Sequence, residues 1–80
     1  MNNLNHIGTY IAMYRKNKSI TQKELSILVN VTKSTVSMWE CCRRVPNRQD
    51  FCKLCEVLNI PVEFFFPIYL KSFNNYNQQG

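Results

Sequence analysis

The sequence contains little glycine, few acidic residues and a single histidine, and these shortages exclude most enzyme chemistry. Gly8 and Gly80 are its only glycines, so the chain cannot form the glycine-rich loop that cradles a phosphate. One histidine and five Asp and Glu residues give no recognisable pairing of a histidine with a carboxylate or of a nucleophile with a base. We therefore expect no enzymatic activity and no cofactor.

Long apolar runs are also missing. The most apolar stretch, residues 60–70, is far below the ~20 residues that a transmembrane helix needs, and it contains two prolines and a glutamate. The first ten residues, MNNLNHIGTY, lack the basic start and the apolar core of a signal peptide. We expect a cytoplasmic protein that makes no membrane contact and keeps its thiols reduced.

The sequence does contain enough apolar residues to form a core, and it carries a net positive charge. Apolar residues make up 45% of the 80 residues, which suits one small folded domain. Ten Lys and Arg residues against five Asp and Glu give a net charge of +5. This excess favours a polyanionic partner, although a basic balance alone is weak evidence.

Residues 21–41, TQKELSILVNVTKSTVSMWEC, predict two short helices joined by a tight turn. Thr21 and Glu24 have the spacing of a capping box, and Thr32 is placed to cap the second helix. Asn30 occupies the turn, where asparagine tolerates the left-handed conformation. Five apolar residues can close a core behind the pair: Leu25, Val29, Val31, Val36 and Trp39. The remaining side chains of the second helix face outward: Lys33, Ser34, Thr35, Ser37 and Met38.

Three further helices complete an all-α prediction. The first covers about residues 4–17. Asn47 and Asp50 resemble a cap for the fourth, which carries an apolar stripe from Phe51 to Leu58 and ends at Asn59. Pro61 begins a short fifth helix and Pro67 ends it. We assign residues 1–66 to the folded domain. Residues 67–80 then form a tail, partly apolar and afterwards rich in Asn and Gln, that we expect to be frayed.

The order of these segments resembles the lambda-repressor and Cro-like helix-turn-helix family. The resemblance covers about residues 7–66 and rests on five segments in the correct order: Ile7, Gly8, Ile11, Tyr14 and Arg15; TQKEL; VTKSTVSMWE; RRVP; and KLCEVLNIP. It implies a compact five-helix DNA-binding domain with the helix-turn-helix at helices two and three. It also implies a structural ion pair between Arg15 and Glu40.

The chain departs from the family at three turns, where Ser19, Asn30 and Cys42 replace the usual glycine. A left-handed cysteine costs roughly 1–2 kcal/mol, so a different path for the loop after helix three is an open alternative. Such a path would change the direction in which Arg43 and Arg44 point.

The resemblance places helix three in the major groove of double-stranded DNA. The expected base contacts are Lys33, Ser34, Thr35 and Met38. The expected phosphate contacts are Gln22, Lys23, Ser37, Arg43, Arg44 and Arg48. A cation in the first turn of a helix is destabilised by the helix dipole by about 0.3–1 kcal/mol. An external anion bound to Lys33 would explain why a lysine occupies this position. The alternative is an ordinary solvated side chain, with first-turn hydrogen bonding for Ser34 and Thr35 and packing against a small core for Met38.

A monomer that reads a handful of base pairs would bind with little selectivity, so we expect a repressor that binds a near-palindrome as a homodimer. The resemblance points to the loop before helix four and to the C-terminal segment for the dimer contact. The candidates in the C-terminal segment are Phe64, Phe65, Phe66, Ile68, Tyr69 and Leu70. Two alternatives stay open. About half of these residues can instead close the core of the monomer, or the segment can capture a different protein, as in the antitoxin of a toxin–antitoxin pair.

Four cysteines raise the question of a metal site. Cys52 and Cys55 have CxxC spacing, but they lie inside a predicted helix, whereas structural zinc usually takes such a pair from a turn. Cys41 and Cys42 are adjacent and awkward as joint ligands. We therefore expect no metal, and we expect Cys41 and Cys42 to be the most exposed thiols.

Overall fold

The computed structural model describes residues 6–78, with side chains to residue 73, and this range contains five α-helices and no strand. The helices are α1 (Ile7–Asn17), α2 (Gln22–Leu28), α3 (Lys33–Glu40), α4 (Arg48–Leu58) and α5 (Val62–Gln78). The all-α, five-helix prediction is therefore confirmed. No helix in the described range is long and apolar enough to cross a membrane.

Side-chain caps begin α2, α3 and α4 at the residues that the sequence predicts. In the capping box of α2, the amide of Glu24 donates to the Thr21 hydroxyl (3.0 Å) and the amide of Thr21 donates to the Glu24 carboxylate (2.7 Å). The Thr32 hydroxyl accepts from the amide of Thr35 at 3.1 Å, and Asn47 caps α4 in the same way. These bonds satisfy amides that a helix start otherwise leaves without a partner.

The cap of α1 differs from the prediction. This helix begins at Ile7, three residues later than expected, and the expected start at Leu4 lies outside the described residues. The backbone of His6 is extended, and its imidazole Nδ1 accepts a hydrogen bond from the amide of Gly8 at 3.0 Å. An N-terminal cap at this position begins the helix after His6, which explains the difference.

Four helices end at a residue with positive φ, and none of these residues is glycine. The residues are Ser19 (60°), Asn30 (60°), Cys42 (63°) and Asn59 (58°). The two asparagines behave as predicted. The alternative path for the loop after α3 is wrong, because Cys42 adopts the left-handed conformation that its side chain disfavours.

Hydrogen bonds explain why Cys42 accepts this conformation. The amide of Cys42 donates to the carbonyl of Trp39 (3.0 Å), and the amide of Arg43 donates to the carbonyl of Met38 (2.9 Å). This pair of bonds is a Schellman motif, which satisfies the last carbonyls of a helix. Ser19 and Asn30 end α1 and α2 with the same pattern. The hydrogen bonds at these helix ends thus offset the backbone strain at positions that glycine would occupy without steric strain.

The prediction that Pro67 ends the last helix is wrong. Pro67 lies inside α5, which continues to Gln78 across the expected boundary at residue 66; residues 79 and 80 of the expected frayed tail lie outside the described range. Beyond the proline, the Tyr69 hydroxyl donates to the carbonyl of Pro46 (2.7 Å), and the Ser72 hydroxyl accepts from the amide of Ile7 (2.8 Å). These buried contacts hold the helix although proline removes one of its hydrogen bonds.

The core lies between all five helices. Its fully or almost fully buried apolar residues are Ile7, Ile11, Leu25, Val29, Val36, Trp39, Phe51, Leu54, Cys55, Leu58, Ile60, Phe65 and Tyr69. The backbones of α1 and α3 come close together at Gly8, where an added Cβ would lie 1.8 Å from the carbonyl oxygen of Trp39. Gly8 is thus required by close packing and not by a turn, and it fixes α1 against the end of α3.

Candidate DNA-binding surface

The orientation of α3 is set by two buried side chains. Val36 and Trp39 are 0% and 2% exposed, which turns Lys33, Ser34 and Met38 toward solvent. Thr35 and Ser37 are half-buried. The outward face expected from the sequence is therefore present.

A shallow cleft of about 320 Å³ lies between α2 and α3 at the protein surface. It is lined by Gln22, Lys33, Ser34, Ser37 and Met38. Five predicted DNA contacts, three for bases and two for phosphates, thus meet in one place. The cleft combines an ammonium group, two hydroxyls, an amide and a thioether, a set that can donate hydrogen bonds to base edges and also contact a methyl group.

Thr35 lies outside this cleft. Its hydroxyl is 2.8 Å from that of Thr32, and its amide is bonded to the same oxygen. Its polar groups therefore belong to the cap of α3. Its methyl group is left for a contact with DNA, and its hydroxyl keeps hydrogen-bonding capacity beyond the bond to Thr32.

The carboxylate of Glu40 joins three helices. Arg15 donates to it twice, from Nε to Oε2 at 2.6 Å and from Nη2 to Oε1 at 3.0 Å, and also donates from Nη1 to the carbonyl of Ile20 at 2.8 Å. The hydrogen bond to Glu40 raises the pKa of Arg15 above its ordinary value. The side chains are only 12% and 7% exposed, so the pair that the family resemblance implies is an interior link between α1 and α3.

Gln22 is held by the same carboxylate. Its amide nitrogen donates to Oε1 of Glu40 at 3.0 Å. A primary amide has two hydrogens, so one remains for an acceptor in the cleft that Gln22 lines. Sequence reasoning placed Gln22 at the surface and did not predict its bond to Glu40.

The remaining predicted phosphate contacts surround the two helices. Arg43 and Arg44 directly follow the left-handed Cys42, and both of their amides donate to the carbonyl of Met38. Lys23 lies in the first turn of α2 and Arg48 in the first turn of α4. All four side chains are exposed, and none forms an ion pair with another described residue. They are cationic groups open to an external anion.

The six predicted dimer residues do not form one exposed patch. Phe65 and Tyr69 are 5% and 2% exposed, and Phe66 and Ile68 pack partly against the core. The ring of Tyr69 stacks on that of Phe51 with centroids 4.0 Å apart. Only Phe64 (70%) and Leu70 (44%) remain clearly exposed. Phe65 and Tyr69 thus turn most of their surface to the core, in line with the alternative that about half of the segment closes the core, and the dimer role of the segment stays a prediction.

The cysteines are free thiols. Among the described residues, no group of three or more His, Cys, Asp or Glu side chains could hold a metal ion. Burial, followed by the nearby Cys52, raises the pKa of Cys55 to about 11. Cys41 and Cys52 are the exposed thiols, whereas Cys42 is half-buried with its Sγ 3.7 Å from the Thr9 hydroxyl. The expectation that Cys41 and Cys42 are the most exposed pair is therefore wrong, because the left-handed turn directs Cys42 toward α1.

Sequence reasoning missed a second concave surface, an apolar groove between α1 and α5. Its lining residues are Tyr10, Met13, Tyr14, Lys16, Asn17 and Phe65. The available signal was Met13, an apolar residue of α1 outside the stripe of Ile7 and Ile11. The signal is weak, because a single exposed apolar residue is ordinary on a protein surface.

Comparison with known proteins agrees with this geometry. A family model described as helix-turn-helix matches residues 11–65, more than half of the chain, and the match includes both helices that form the cleft. No curated protein and no solved structure gave a significant match. The compact all-α fold, the cleft between α2 and α3 and the family match lead to one conclusion: the chain belongs to the Cro/C1-type helix-turn-helix family of DNA-binding transcriptional regulators.

Proposed function

We propose that the protein is a stand-alone repressor that binds a near-palindromic operator as a homodimer. The main support is the cleft between α2 and α3, where Gln22, Lys33, Ser34, Ser37 and Met38 come together. A groove-reading helix needs a row of outward side chains beside groups that bind the phosphate backbone. The cleft supplies both kinds of group.

Base reading is assigned to the first two turns of α3. Lys33 and Ser34 are exposed in its first turn, where they can donate to guanine O6 and N7 and to other acceptors in the major groove. Met38, 36% exposed and one turn further on, contacts a thymine methyl. Thr35 contributes its methyl group to a thymine methyl, while its hydroxyl bonds to Thr32 in the cap of α3.

Phosphate binding is assigned to the residues around α3. Gln22 donates its second amide hydrogen, while Glu40 holds the amide in position. Ser37 donates its hydroxyl, and Lys23, Arg43, Arg44 and Arg48 provide positive charge. Phosphate contacts fix the register of the protein on DNA and carry no base information. They also make the affinity fall as salt rises.

Dimerisation follows from the size of the reading element. One helix the length of α3, eight residues, reads only a few base pairs. Two copies on half-sites about one helical turn apart, roughly 34 Å, double the sequence that is read. A compact module that covers such a site most simply blocks the polymerase, which is the reason for proposing a repressor.

The proposal is tested by selecting bound sequences from a random duplex pool with reduced protein at physiological salt. We expect a two-fold symmetric motif to be enriched. Lys33→Ala should blur one position of that motif. Lys71→Ala, which removes an equal charge from an exposed site on α5, should leave the motif unchanged. Retention of DNA with no enriched motif, or a motif without symmetry, would contradict the proposal.

A further inference from the structure

The apolar groove between α1 and α5 has a volume of about 720 Å³. Its floor is aromatic: the Phe65 ring lies 4.8 Å from that of Tyr10 and 5.6 Å from that of Tyr14, measured between centroids. Met13 is 55% exposed at its edge. None of the residues that line this groove also lines the cleft between α2 and α3. An occupant of the groove would therefore leave the proposed reading face free.

A projecting aromatic side chain lies next to this groove. Phe64 is 70% exposed, the largest exposed fraction among the described large apolar residues. Its ring meets that of Phe65 edge to face, with centroids 5.0 Å apart. Phe64 does not line the groove of its own chain. One face of the molecule thus carries both a hollow and an adjacent side chain suited to fill such a hollow.

We propose that the occupant is a second copy of the chain, with Phe64 of each protomer inserted in the groove of its partner. This inference rests on the homodimer proposed above and specifies its interface. A two-fold interface uses the same patch on both subunits, so the patch must be complementary to itself. A groove and a neighbouring projection on one face meet that requirement.

Charge supports the same occupant. Lys16 is the one charged residue among those that line the groove. Glu63 directly precedes Phe64 in the first turn of α5. When Phe64 enters the partner's groove, Glu63 accompanies it toward Lys16 of that partner. The two-fold axis repeats the contact, so each interface contains two pairs of opposite charge.

The dimensions favour a short contact. The part of α1 that lines the groove, residues 10–17, extends only about 10 Å at 1.5 Å per residue. A groove this short offers less contact area than the roughly 800 Å² that each partner buries in a standard interface. We therefore expect weak dimerisation in solution, and we expect it to be strengthened when two half-sites hold both protomers on one DNA molecule.

The test measures self-association of the full chain by analytical ultracentrifugation over a concentration series. The native protein should shift from monomer to dimer as its concentration rises. Phe64→Glu should weaken the dimer by about tenfold or more, as expected for a central aromatic contact. Because Phe64 is exposed, the Phe64→Glu protein should unfold in urea at the same midpoint as the native protein. Ile27→Glu is the matched control, since Ile27 on α2 is 69% exposed, lines neither the groove nor the cleft, and should not alter association.

A charge exchange tests the pairing itself. Lys16→Glu and Glu63→Lys should each weaken the dimer, and the double variant should restore it. A native chain that stays monomeric, or a dimer unaffected by Phe64→Glu, would overturn the proposal. If the monomer instead co-purifies with another protein, and Phe64→Glu releases that protein, the groove belongs to a different partner and the proposal is again overturned.

DNA binding separates this inference from the proposed function. Phe64→Glu should still bind a single half-site at the native affinity while losing cooperative binding to a full palindrome. A native dimer that shows no sequence preference would overturn the repressor function and leave the interface intact. A chain that binds palindromes cooperatively, with Phe64→Glu equal to the native protein, would overturn the interface alone.

Discussion

Glu40 at the end of α3 accepts hydrogen bonds from Arg15 of α1 and from Gln22 of α2, through one carboxylate that is almost buried. The same carboxylate therefore holds the fold together and positions a residue of the proposed DNA surface. This arrangement predicts that structural and functional effects of Glu40 can be separated by the choice of substitution.

Glu40→Ala should lower the free energy of unfolding by about 3–5 kcal/mol, because it leaves the Arg15 guanidinium without its partner in a site that is 12% exposed. Glu40→Gln retains one acceptor for Arg15 and should cost less. Urea denaturation measures both changes. If Glu40→Ala unfolds at the native midpoint, the pair contributes nothing to stability and this prediction is wrong.

Lys33→Ala should act on sequence preference. The side chain is exposed in the first turn of α3 and lines the cleft, so its loss removes a donor to one base pair. We expect about 1–3 kcal/mol less discrimination at that position and little change elsewhere. Competition binding with single-base variants of the operator measures the effect. Equal loss of affinity for every sequence would reassign Lys33 to a phosphate.

Arg43→Ala should act on affinity instead. Arg43 is exposed, forms no ion pair with another described residue, and lies just after the turn that ends α3. Removing one phosphate contact should weaken binding to all sequences alike and reduce the slope of log affinity against log salt by about one unit. Titrations at several salt concentrations test this. An unchanged slope would mean that Arg43 does not contact DNA.

Much of the reading surface was predictable because its signals are local. The capping residues Thr21, Glu24 and Thr32 fix the starts of α2 and α3 through contacts within four residues of sequence. The helical spacing of the apolar residues Val36 and Trp39 then determines which side of α3 faces outward. Helix starts and faces of this kind can be derived from a single sequence.

Two of the errors arose where residues distant in sequence decide the structure. Pro67 is tolerated inside α5 because Tyr69 and Ser72 bond to the loop before α4 and to the start of α1. The groove exists because Phe65 meets Tyr10 across more than fifty residues of sequence. Local propensity contains no information about either contact, so a pattern along the chain cannot reveal them.

Ser19→Gly should stabilise the protein. Ser19 ends α1 with φ of 60°, where a Cβ costs roughly 1–2 kcal/mol, and its side chain is exposed. Glycine removes this strain but gives the unfolded chain more freedom, about 0.4–1 kcal/mol, so the net gain should be at most about 1.6 kcal/mol. Ser19→Ala is the matched control, since it retains the Cβ and should bring no gain. A gain from alanine equal to that from glycine would show that strain is not the cause.

His6 should make the stability depend on pH. The side chain is 4% exposed, its Nδ1 accepts the amide hydrogen of Gly8, and its Nε2 is buried without a hydrogen-bond partner among the described residues. Burial lowers the pKa of His6 below its ordinary value of 6.5. Protonation would also turn the acceptor of the α1 cap into a donor that faces another donor.

The sign of the effect follows from these pKa values. Below pH 6.5 the unfolded chain binds a proton that the folded chain still excludes, so the stability is fully present above that pH and decreases as the pH falls toward the lower, folded value. One proton limits the slope to about 1.4 kcal/mol per pH unit. Urea unfolding between pH 5 and 8 measures it. His6→Asn is the control, because asparagine can accept the same amide hydrogen and does not titrate. The carboxylates contribute equally to the pH dependence of both proteins. The steeper loss of unfolding free energy below pH 6.5 should therefore be present in the native chain and absent from His6→Asn. Parallel curves would mean that His6 does not determine the pH dependence of folding.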